Sequence, residues 1–214
     1  MLGRKLILLS LDWIRSKDPP LSLGHASILA NLIKWDINVK SFEYTEETRK
    51  ETREETREET RVIKDIETTL RSFGRGLSLT DIGNGAFIWN EASVQNITRF
   101  LKGMGFPGRI ILGDPQISYS LPGIENEYPF ADVFLRGYAE EAMLKLITSR
   151  CDEPIKGVHY REGPAWKSNC GFKETSVSLS HWFDKASAIS ELGGCCPFSY
   201  SFHQHREIGD HLKR

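Results

Sequence analysis

Five times along the chain a short apolar run is followed by a stretch whose apolar residues recur at helical spacing, with roughly thirty residues from one run to the next. Such alternation leaves few architectures open. Strands joined by helices run parallel, their crossovers are right-handed, and the helices cover both faces of the sheet. The first run, Leu6 to Leu11, is apolar without alternation, as a strand buried on both faces requires. Asp12-Trp13 and a Pro19-Pro20 turn follow, and Ser22 caps a helix carried by Leu23, Ile28, Leu29, Leu32 and Ile33. A second strand spans Asn38 to Tyr44, and a third runs from Leu77 to Trp89 with breaks at Gly83 and Gly85. The fourth covers Arg109 to Gly113 and the fifth Ala131 to Leu135. Glu91 to Met104 reads as an amphipathic helix through Val94, Ile97, Phe100 and Leu101, stopped by Gly105, and Ala139 to Ile147 as the last helix.

This pattern predicts an α/β domain over residues 1–150, a flavodoxin- or Rossmann-like open parallel five-stranded sheet with helices on both faces. With 214 residues the chain can bury one good core of this kind and carry an appendage. A formal net charge of −1 gives no global attraction to nucleic acid or to an anionic membrane. The start, Met1-Leu2-Gly3-Arg4-Lys5 before the first apolar run, has the look of a leader. The run ends at Ser10 and Asp12 without a small-residue cleavage site, and it is too short to span a membrane. Four cysteines, Cys151, Cys170, Cys195 and Cys196, two of them adjacent, make no disulfide framework, so a reducing cytoplasm is expected.

Residues 45–61 are of low complexity, a four-residue beat of Thr-Arg-Glu-Glu. As a helix, Glu54 with Arg57 and Glu58 with Arg61 pair at i, i+3 for a few tenths of a kcal/mol each, and like charges at i, i+4 offset much of that. A beat of four drifts around a helix of 3.6 residues per turn and builds no apolar stripe. We read a solvated helix that becomes dockable only at Val62, Ile63, Ile66 and Leu70. After Ser149 the character changes. Residues 151–190 read as a connector, with a short hairpin-forming strand near Gly157-Val158-His159-Tyr160 and an irregular Ser- and Lys-containing stretch from Gly163. Residues 191–214 form an irregular tail.

Six segments, in order, carry a resemblance. They are residues 20–26 (Pro-Leu-Ser-Leu-Gly-His-Ala), 85–91 (Gly-Ala-Phe-Ile-Trp-Asn-Glu), 105–119 with Gly113-Asp114-Pro115-Gln116, 136–141 (Arg-Gly-Tyr-Ala-Glu-Glu), 154–158 (Pro-Ile-Lys-Gly-Val) and Cys196-Pro197-Phe198. Together they resemble the N-terminal domain and cluster loop of cobalamin-dependent radical S-adenosylmethionine proteins. The resemblance implies a cobalamin-binding domain with the corrin lying on the carboxyl ends of the strands, where an open parallel sheet keeps its ligand crevice. The implied contacts are Asp12 after the first strand and Gly85, Ala86 and Trp89 after the third. Gly113, Asp114, Pro115, Gln116 and Ser118 follow the fourth, and Gly137, Tyr138 and Glu140 the fifth. The partner would be a small-molecule corrinoid.

Three departures qualify that implication. The loop Asp12-Trp13-Ile14-Arg15-Ser16 lacks the histidine with which some cobalamin domains ligate cobalt, and nearby His25 reads as a packed helix histidine. Asp114 stands where the family has a second glycine, and its carboxylate would face the crevice and oppose a phosphate-bearing tail. The cluster loop of the family presents thiolates at C-x3-C-x2-C, whereas the register here reads Cys196, Tyr200, His203, with one thiolate. Three readings of that loop stand side by side. A cluster assembles on Cys196, His203 and a third group such as Cys195, or Cys195 or Cys196 binds zinc with His203, His205 or His211, or the loop is a relic. The residues favour the relic. Only eight residues follow Arg206, and a barrel to hold S-adenosylmethionine and substrate needs on the order of 200 residues.

The expected function is therefore corrinoid binding by a relative of radical enzymes that is not catalytic alone, with a 4Fe–4S cluster and S-adenosylmethionine not expected on this chain. The alternatives are a radical methyltransferase-type enzyme completed by a second chain, a ligand-free protein-interaction module, or a product without a selected role. The strand-end face would be open to a second copy or a partner protein.

Overall fold

A strand buried on both faces must hand its alternate residues to two helix layers. The computed structural model describes residues 4–14, 23–47, 53–120, 123–137, 139–148, 155–163 and 165–168. In it β1 (Lys5–Ile14) is followed by α1 (Leu23–Lys34), β2 (Val39–Glu47) and α2 (Arg53–Phe73), and a 3-10 turn (Gly74–Leu79) leads into β3 (Thr80–Gly85). Then come α3 (Glu91–Gly103), β4 (Arg109–Gly113), the short helices α4 (Pro115–Ser118) and α5 (Ile124–Glu127), and β5 (Val133–Leu135). The chain continues with α6 (Glu140–Thr148), β6 (Val158–Glu162) and β7 (Ala165–Ser168).

Leu6 and Leu8 of β1 pack with Leu32 of α1 and with Ala142, Met143, Leu146 and Ile147 of α6. Ile7, Leu9 and Leu11 face the other way, onto Val62, Ile66 and Leu70 of α2 and Val94, Ile97 and Leu101 of α3. The sheet order is β2-β1-β3-β4-β5-β6-β7. The first five strands are parallel, as expected, and two antiparallel strands extend the sheet to seven. The extra pair is a hairpin in residues 155–168. Glycines in the left-handed region stand before its first strand (Gly157, φ 77°) and in its turn (Gly163, φ 61°), and Trp166 stacks on His159 at 4.9 Å across it. Strands of five and four residues are too short to show alternation, which is why the second of them lies in a stretch read as irregular.

Other boundaries move for local reasons. Gly74–Leu79 winds into a 3-10 turn, so the third strand begins at Thr80, and after Gly85 the chain leaves the sheet when Asn90 Oδ1 accepts the Phe87 N–H at 2.8 Å. β2 runs on through Glu47 and α2 begins at Arg53. Gly105, at φ 76°, ends the third helix as expected. Among the described residues no helix is long and apolar enough to cross a membrane.

Candidate functional site

The chain reverses direction across the sheet between β1 and β3. From β1 the chain passes through α1 to β2 on one side, and from β3 it passes through α3 to β4 on the other, with α1 and α3 in opposite layers. In such a sheet the strand ends at this switch point splay and leave a crevice outside their carboxyl termini. Asp12, Gly85 and Gly113 all arrive there, since Gly85 pairs with Gly113 and β1 overhangs its β3 partner beyond Leu9.

On the β1 side, the Ser10 hydroxyl donates to Asp12 Oδ2. On the β3 side, Ile88 and Trp89 are 70% and 51% exposed, and Trp89 stacks on Phe87 at 4.6 Å with 13° between the rings. Ala86 turns its side chain into the core, and its backbone is spent within the protein. Its N–H donates to the Gly113 carbonyl at 3.0 Å, and its own carbonyl accepts from Gln116 N–H at 3.2 Å. These bonds lace the loops after β3 and β4 into one floor. Pro115 opens α4, and the Asp114 carbonyl accepts from Ile117 and Ser118 N–H at 3.1 and 2.9 Å. The Ser118 hydroxyl accepts the Gly137 N–H at 3.0 Å, which ties in the end of β5.

Asp114 is the exception in this floor. Its φ of 76° and ψ of −173° lie in a region essentially reserved for glycine. Its carboxyl is set between α1 and β3. Oδ1 lies 3.0 Å from where a Cβ on Gly24 would stand, and Oδ2 would overlap a Cβ on Gly85. Burial first, then the charges of Asp12 and Glu140, push its pKa up to about 7. Glu140 closes this wall from α6. The Ser27 hydroxyl donates to its Oε1 at 2.5 Å and Asn31 Nδ2 to its backbone carbonyl at 2.8 Å, while its buried Oε2 has no partner among the described residues.

Of the twelve sequence-derived contacts, Asp12, Gly85, Trp89, Gly113, Asp114, Pro115, Gln116, Ser118, Gly137 and Glu140 lie around these strand ends, Glu140 on the α1 side of them. Ala86 presents only backbone, and Tyr138 lies outside the described residues. Cys196 and His203 lie outside them too. Asp81, a further strand carboxylate, is at the opposite end of the sheet, held by Arg4 at 2.6 and 2.8 Å and by Arg109 at 2.6 and 3.0 Å. Burial alone would raise its pKa, but the two guanidinium groups outweigh it and hold it low. His25 is buried against the Ser41 hydroxyl (2.7 Å), and burial lowers its pKa against the opposing pull of Asp12. It packs as expected.

The α1 wall was not anticipated. Gly24, Ser27 and Asn31 recur at i, i+3 and i+7, a small and polar stripe along one helix face, and that spacing was the available signal.

No family model and no curated protein matches the sequence. The fold does match solved structures of the radical S-adenosylmethionine methyltransferase TsrM from Kitasatospora setae. The form with tryptophan substrate and the analogue aza-SAM superposes with a TM-score of 0.54 at 8% identity, covering 80% of this chain and 31% of that one. The form with cobalamin and a 4Fe–4S cluster bound gives 0.51 at 12% identity, with coverages of 81% and 30%. This chain thus spans just under a third of those proteins, and at such identities the likeness is one of fold.

Proposed function

We propose that the crevice at the carboxyl ends of β1, β3 and β4 binds a corrinoid, and that the chain is a corrinoid-binding relative of cobalamin-dependent radical S-adenosylmethionine enzymes, not catalytic by itself. The observation that carries this reading is the floor itself. Gly113 and Gly137 bring backbone without side chains to the strand ends at the switch point, beside a rim of exposed Ile88 and Trp89, a surface suited to a broad flat ligand. The shared fold with a protein solved with cobalamin supports it. The four cysteines without a disulfide framework support a reducing, cytoplasmic setting.

The test is a visible spectrum of the protein after anaerobic incubation with hydroxocobalamin or with cobinamide, each followed by desalting. Corrin bands eluting with protein at about one per chain, for either compound, are the expected result. If neither colour stays with the protein, the corrinoid reading fails. The exposed Ile88 and Trp89 then favour the second reading, a surface for a partner protein or a second copy of this chain.

A further inference from the structure

An anion has two reasons to settle between α1 and the ends of β3 and β4. The first N–H groups of a helix have no partner within it and lie at the positive end of its dipole. Gly24 and Gly85 leave both walls without side chains. In this chain the notch is filled from within, because Asp114 directs its carboxyl into it, one oxygen toward Gly24 and the other over Gly85. The backbone there follows a path that suits glycine, so the side chain is an addition that the surroundings hold in place. Two further carboxylates, Asp12 and Glu140, place their charge on the same notch, and Glu140 Oε2 is buried without a hydrogen-bond partner among the described residues. An anion entering would have to displace that carboxyl group and face two carboxylates more.

Only a narrow appendage of a ligand fits between two backbone walls, since a corrin ring is too broad. In a complete cobalamin that appendage carries a phosphate; cobinamide, the ring without the nucleotide tail, has none. We infer that Asp114 determines the specificity of the crevice: its side chain fills the notch a phosphate-bearing tail would need, so the chain selects tail-less corrinoids over complete cobalamin. This rests on the corrinoid reading above and states which corrinoid is taken.

Equilibrium titration of the full chain with cobinamide and with hydroxocobalamin, followed by absorbance, tests it on the native protein, Asp114→Gly and Asp114→Asn. The native protein is expected to bind cobinamide at least roughly tenfold more tightly than hydroxocobalamin. Asp114→Gly should close that gap by gaining affinity for hydroxocobalamin, and Asp114→Asn should close part of it. Equal binding of both compounds by the native protein, or a preference that survives Asp114→Gly, overturns the inference and leaves the corrinoid reading standing. Binding of neither compound by any of the three proteins removes both. Thermal unfolding checks the variants, and if Asp114→Gly does not fold, Asp114→Asn carries the comparison.

Discussion

A carboxyl group set between two glycines, with Asp12 and Glu140 nearby, keeps its proton to higher pH than the same group in an unfolded chain. For Asp114 the pKa rises from 3.8 to about 7. Between those values the folded chain holds a proton that the unfolded chain has released. Stability from this group is therefore full near pH 4 and declines as pH rises toward 7, by about 4 kcal/mol in all. The charges that face it are Asp12 from β1 and Glu140 from α6. Asp81 works in the opposite sense and below this window, since its lowered pKa loses stability only as pH falls beneath 3.8. Asp114→Asn is expected to flatten the decline between pH 4 and 7 and to be more stable than the native protein at pH 8. Urea unfolding at pH 5 and pH 8 measures this, and an unchanged difference between the two pH values would refute it. The sequence marked Asp114 as a residue out of pattern. The α1 residues that complete its surroundings were not legible, because Ser27 and Asn31 on an amphipathic helix look like its solvent side until α6 is known to pack there.

Elements were legible where burial repeats at the period of the structure. Glu91 to Gly103 and Arg109 to Gly113 emerge nearly as read, and α2 is buried at Val62, Ile66 and Leu70, where its charged repeat gives way to apolar residues. Boundaries set by single hydrogen bonds or turns were not legible. The 3-10 turn before β3 and the five- and four-residue hairpin strands have no periodic signature of their own. The packing of α2 gives a contrast within one helix. Ile66 is fully buried between β1 and α3, so Ile66→Ala should destabilise the fold by about 2–5 kcal/mol. Lys64, on the exposed face, should tolerate alanine within about 0.5 kcal/mol. Denaturant midpoints of the two variants decide it. Similar losses would mean that the helix is held by its charges, and similar neutrality that it does not dock as a unit.

At the scale of the molecule, a sheet of this order keeps its crevice at the switch point, and the chain has put Gly85, Gly113 and its most strained side chain, Asp114, there. The likeness to TsrM extends over 80% of this chain but under a third of that protein, so the resemblance in fold carries no radical chemistry with it. The expectation drawn from the sequence is that Cys196, Tyr200 and His203 stand in the register where the family it resembles places three thiolates. A 4Fe–4S cluster held by one thiolate, an imidazole and a phenol lacks the soft ligands that stabilise it. Anaerobic reconstitution of the full chain with iron and sulfide, followed by desalting, should therefore leave far fewer than the four irons of one cluster. Iron and sulfide assays on the desalted protein read this directly. Four irons per chain would mean that Cys195 or a residue elsewhere completes the site, and an enzyme finished by a second polypeptide would then explain the chain better than a binding module. Little iron, together with retained cobinamide, would favour the binding module, with a corrinoid crevice shaped by Asp114 and no cluster assembled on the chain.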